Sequence, residues 1–92
     1  MLNENIKKLR LARGINQVEL ANALNVSKQC VSNWENDNIQ PSVEMLVKIA
    51  RYFNVSTDYL LDMDARESIF VEGLTDREIA HLRLIVEDLK SR

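Results

Sequence analysis

The stretch QVELANALNVSKQCVSNW, Gln17 to Trp34, decides the fold of this 92-residue chain. Its apolar residues fall at helical spacing in two short runs, separated only by Asn25, Val26 and Ser27. The first run opens on a reciprocal cap, with Asn16 as the capping residue and Glu19 three positions on, and Ile15 is placed to staple onto Leu20. The second run opens on Ser27, with Val26 and Val31 as its staple. So tight a joint needs a residue that tolerates the left-handed backbone region, and Asn25 is one of the few non-glycine types that does. Small Ala21 faces the joint, while Leu20, Leu24, Val26, Val31 and Trp34 form the wedge that sets the crossing of the two helices. That wedge leaves Lys28, Gln29, Ser32 and Asn33 on the outer face of the second helix.

Outward from this pair, every further element reads as helix. Leu2, Ile6 and Leu9 line one face of a first helix, with Asn3 as its expected cap and Gly14 as its end. A fourth helix opens near Pro41 and Ser42 and is expected to carry Val43, Leu46, Ile49, Ala50 and Phe53 inward. A short fifth follows Ser56, with Val55 and Leu60 as staple. Residues 62–68 are polar and read as a linker, and Ile69-Phe70-Val71 is a short apolar run, extended or docked on a neighbour. Thr75 with Glu78, flanked by Leu74 and Ile79, marks a last helix to about Lys90. The expected fold is all-α, with a five-helix domain over residues 1–61, the linker over 62–68 and a helical dimerisation segment over 69–92.

Composition narrows the class. Two glycines and one proline leave little turn chemistry for a sheet protein, and 46% hydrophobic residues support an ordinary core. The lone Cys30 cannot form an internal disulfide, no leader pattern opens the chain, and no apolar run has the length of a membrane span. A reduced, cytoplasmic protein without membrane association is expected. The net charge of −2 divides unevenly. Residues 1–60 carry seven Lys/Arg against six Asp/Glu, whereas residues 61–92 carry five against eight. A polyanion-binding surface therefore belongs to the first part and cannot rest on bulk charge alone.

The outer-face residues suit base edges: Gln and Asn pair bidentately with adenine in the major groove, and Lys donates to guanine acceptors. Several separated blocks also keep their spacing together, namely Ile6-Lys7-Lys8-Leu9-Arg10, Asn16 to Ala21, Val26-Ser27-Lys28-Gln29 through Trp34-Glu35-Asn36, and Pro41-Ser42 with Leu46, Ile49 and Ala50. With these blocks, residues 1–61 resemble the Xre/Cro-CI-type helix-turn-helix family, the DNA-binding domains of lambdoid phage repressors and many bacterial regulators. The resemblance implies a five-helix lambda-repressor-like domain whose third helix reads bases. It implies that Gln17 grips a phosphate, that Lys28, Gln29 and Asn33 read bases, and that Ser27, Ser32, Asn36 and Asn38 contact the DNA backbone. It further implies a structural ion pair between Arg10 and Glu35. Asn25 stands where the family usually has a turn glycine.

The expected function is thus sequence-specific binding of double-stranded DNA by a transcriptional regulator, a homodimeric repressor on a palindromic operator. In the last helix Ile79, Leu82, Val86 and Leu89 recur at coiled-coil-like spacing, and Leu84 and Ile85 widen the apolar surface. Phe70 and its neighbours are expected to close over a partner's helix. Two other readings stand beside this one: an antitoxin of the same fold whose tail covers a toxin, and a protein-interaction module that has lost DNA binding. A protein antagonist is a further partner class. Trp34 reads as core rather than a base-stacking platform, Cys30 as a packed thiol, and His81 as solvated, with no metal-ligand spacing nearby. No phosphate loop or nucleophile elbow occurs, so neither an enzyme nor a cofactor or metal is expected.

Overall fold

Three helices of the computed structural model, which describes residues 1–91, end in the same way. After α1 (Leu2–Arg13), α2 (Gln17–Leu24) and α4 (Val43–Phe53), the next residue turns left-handed: Gly14 at φ 75°, Asn25 at φ 58° and Asn54 at φ 54°. Each end is closed by two backbone bonds that satisfy otherwise orphaned carbonyls, as when Val26 N–H donates to Ala21 O at 2.9 Å and Asn25 N–H to Asn22 O at 3.2 Å. Helix starts are equally explicit. Asn16 and Glu19 form the reciprocal cap of α2, and Ser27, Ser42 and Ser56 cap α3 (Lys28–Glu35), α4 and α5 (Thr57–Leu60) through their side-chain oxygens.

These five helices enclose one core. Ile6 of α1, Leu20, Ala21 and Leu24 of α2, Val31 and Trp34 of α3, Ile49, Ala50 and Phe53 of α4, Val55, and Tyr59 and Leu60 of α5 are buried together. Cys30 lies half-buried against this core. The N-terminal helix is clipped to the end of α5: Asn5 Nδ2 donates to Leu60 O at 2.9 Å and to Asp62 Oδ1 at 2.9 Å.

Two expectations fail locally. Asn3 does not cap α1; Met1 takes that position, because Asn5 N–H closes the first turn on Met1 O at 2.9 Å and Leu2 already packs on the core. Asn3 lies inside the helix instead, its Oδ1 buried without a protein partner. Val43 is not carried inward, at 80% exposure. It occupies the first turn of α4, and the inward face of that helix begins further along, at Met45, Leu46 and Ile49.

Beyond Leu60 the chain leaves the core. Asp62 is left-handed at φ 61°, and residues 62–75 run on without a helix or strand. The last helix, α6 (Asp76–Lys90), starts on the Thr75–Glu78 reciprocal cap and has no buried residue. With it the molecule is elongated, 41 × 24 × 23 Å. Arg92, at the end of the expected 69–92 segment, lies outside the described residues.

Candidate nucleic-acid interface

One buried carboxylate fixes the geometry of α1, α2 and α3. Glu35, at the end of α3, accepts from Arg10 Nε at 2.6 Å and from Arg10 Nη2 at 3.0 Å, a fork-to-fork pair. Arg10 Nη1 also donates to Ile15 O at 2.9 Å, between α1 and α2. The Glu35 hydrogen bond pushes the Arg10 pKa further above its ordinary value, so the guanidinium stays charged. Gln17, the first residue of α2, donates its Nε2 to Glu35 Oε1 at 3.2 Å. This bond leaves Gln17 with a second N–H and its carbonyl oxygen for an outside partner.

The surface these contacts position is polar and amide-rich. Lys28 and Gln29 are exposed and Ser32 and Asn33 are half-buried; Gln29, Ser32 and Asn33 lie on the side of α3 away from Val31 and Trp34, with Lys28 at its edge. Two pairs, each four residues apart, run along it. Gln29 Nε2 donates to Asn33 Oδ1 at 3.1 Å, and Asn36 Nδ2 donates to Ser32 Oγ at 3.3 Å. Ser27 is occupied at its oxygen by the Cys30 N–H, at 3.1 Å. Asn36 and Asn38 are exposed in the turn after α3, which is shaped by left-handed Asp37 and by Asn38 N–H donating to Asn33 O at 2.9 Å. Every residue expected to touch DNA thus lies on or beside α3 or at the start of α2.

Residue-type reasoning overlooks Ile39. It is exposed, and its N–H bonds Asn33 O at 3.3 Å, so it adjoins the amide face. Nothing polar marks it in the sequence, yet an apolar side chain is what reads a thymine methyl group.

The residues expected to dimerise fall elsewhere. Ile79 and Leu82 are half-buried, while Phe70, Ile85, Val86 and Leu89 are exposed. Ile69 and Val71 share a groove with Ile79, Leu82 and Val86 of their own α6. Phe70 faces the other way, into a cleft with Asn54 and Val55, where its N–H donates to Asn54 Oδ1 at 2.7 Å. The run lies between the domain and its own last helix, where two of its side chains meet the nearest apolar face.

A family model described as "Helix-turn-helix" matches residues 6–60. The chain belongs to the helix-turn-helix family. Among curated relatives, the helix-turn-helix regulator ImmR of Bacillus subtilis (strain 168) is 40% identical over 63 residues, covering 68% of this chain and 50% of its own length. The chain thus spans about half the length of that relative. Among solved structures, the P22 c2 repressor in complex with a synthetic operator superposes with a TM-score of 0.65 at 31% identity, over 70% of this chain and 97% of that one. A complex of SinR and SinI proteins superposes with a TM-score of 0.63 at 25% identity, over the whole of both chains. In family terms α2 and α3 are the helix-turn-helix pair, and α3 is the helix whose outer face the core leaves free.

Proposed function

We propose that this chain is a DNA-binding transcriptional regulator, a homodimeric repressor whose α3 enters the major groove of a palindromic operator. The observation that carries this reading is the outer face of α3. Its donors Lys28, Gln29, Ser32 and Asn33 sit on a helix locked from behind by the Glu35–Arg10 pair, on a domain like that of a repressor solved on its operator. Gln17, Ser27, Asn36 and Asn38 flank that face and take the sugar-phosphate contacts. Residues 1–61 form the reading domain, and residues 69–92 pair two copies. The apolar side chains Ile85, Val86 and Leu89 lie exposed on a helix that has no fully buried residue. Pairing would place two α3 helices one DNA turn apart, roughly 34–36 Å.

The same helix face supports a second reading, an antagonist or toxin docked on α6 in place of a second copy. Its support is the likeness along the whole chain to a structure that is itself a complex of two different proteins. Selection from a random duplex pool tests the main proposal. A palindromic enriched site, bound by the full chain in gel-shift titration, is the expected result. Enrichment of single half-sites removes the dimer, and no enrichment removes the regulator.

A further inference from the structure

The Gln29–Asn33 bond constrains which base Gln29 can read. A free glutamine amide offers two N–H donors and one carbonyl acceptor. With both donors available it can face guanine, whose major-groove edge shows two acceptors, N7 and O6. With its carbonyl and one donor it faces adenine, whose edge shows the N7 acceptor and the N6 donor. In this chain one Gln29 N–H is already given to Asn33 Oδ1 at 3.1 Å. One donor and one acceptor remain, and with both turned to guanine the Gln29 carbonyl would meet O6, acceptor against acceptor. The two residues are four apart on one helix face, so the bond needs no rearrangement to persist on DNA. Asn33 is the shorter and more buried partner, and its backbone oxygen accepts from Asn38 N–H and Ile39 N–H, which holds it in the turn that closes α3. It is the anchor of the pair and exposed Gln29 is its arm.

Resting on the DNA-reading role proposed above, we infer that Asn33 is a positioning residue that holds Gln29 to adenine and against guanine. The reverse arrangement, Asn33 donating to the Gln29 carbonyl, would free both Gln29 donors and favour guanine. The identity of the acceptor therefore decides the base. Asn33 acts here through Gln29, beyond any contact its own Nδ2 makes.

The test is selection by the full chain from a random duplex pool, followed by gel-shift titration on the enriched duplex and on its single-base variants. Wild type, Gln29→Ala, Asn33→Leu and Asn33→Asp are compared, with circular dichroism confirming that each is folded. Gln29→Ala identifies the base position that Gln29 reads. Wild type is expected to prefer adenine over guanine there by roughly tenfold or more. Asn33→Leu keeps the shape but removes the acceptor, and should bring the two bases within about threefold of each other. Asn33→Asp supplies only acceptors, so it should keep the adenine preference while weakening binding to every duplex through its added negative charge. An adenine preference that survives Asn33→Leu overturns the inference and leaves the DNA-reading role standing, as does a wild-type preference for guanine. Failure of the wild type to enrich any sequence overturns both.

Discussion

Glu35, with a side chain only 2% exposed, serves two partners at once: it neutralises Arg10 and holds Gln17 at the start of α2. Its pair with Arg10 is not a surface ion pair of marginal value, since Arg10 itself is buried. Removing either partner strands the other charge in the core. Arg10→Ala and Glu35→Ala should each cost about 3 kcal/mol in urea unfolding, with a double-mutant cycle returning a large coupling energy. A coupling near zero would mean the two charges are independently solvated. Gln17 and Lys28 lie at the first positions of α2 and α3 and separate by function. Gln17→Ala should weaken gel-shift affinity about equally on all duplexes, because a phosphate contact carries no sequence information. Lys28→Ala should relax discrimination at one base pair, by roughly 1–3 kcal/mol. If Gln17→Ala changes base preference instead, its second N–H reaches a base.

At the scale of the elements, one three-residue phrase is used twice. Asn25-Val26-Ser27 ends α2 and starts α3; Asn54-Val55-Ser56 ends α4 and starts α5. In both, the asparagine is left-handed, the valine packs on the core and the serine caps the next helix. A Cβ-bearing residue is strained in the left-handed region, so Asn25→Ala should cost about 1 kcal/mol while Asn25→Gly is neutral or stabilising in urea. Asn54 differs in one contact, its Oδ1 accepting the Phe70 N–H at 2.7 Å. Asn54→Gly should therefore speed amide exchange at Phe70, and Asn25→Gly should not. Caps, staples and the left-handed turn were legible because each is a local signal within about four residues. Long-range polar ties were not: Asn5 on Leu60 O, Tyr59 Oη on Glu67, and Asn54 on Phe70 join residues whose types say nothing of their distant partners. The reading of Asn3 as a cap failed for a related reason. Asparagine is a good cap wherever a helix starts, but the start here was decided two residues earlier, by Leu2 joining the core. On α3 the spacing of Gln29 and Asn33 was visible, whereas which amide donates to which was settled only by geometry.

For the molecule as a whole, charge and architecture pull together. With a balance of +1 over residues 1–60, one domain has few cations to offer a polyanion, so in the proposed dimer a second domain bound alongside would add the missing affinity. The tail that would supply the partner is not a loose tether. Tyr59 Oη donates to Glu67 Oε1 at 2.7 Å while accepting from Lys8 Nζ at 3.1 Å, and the Phe70 N–H is held by Asn54. These ties hold the tail against the domain as far as Phe70, five residues before the Thr75 cap of α6. A charge placed in the exposed apolar face of α6 should break the proposed pairing without touching the reading head. Ile85→Glu, in a helix with no buried residue, should leave helix content unchanged and convert a dimer at tens of micromolar to a monomer by light scattering. Affinity for the palindrome should then fall by about 10²–10⁴, the whole of the avidity, while binding to an isolated half-site stays as it was. If Ile85→Glu lowers palindrome and half-site binding together, α6 contributes to DNA contact within one chain and the pairing surface lies elsewhere.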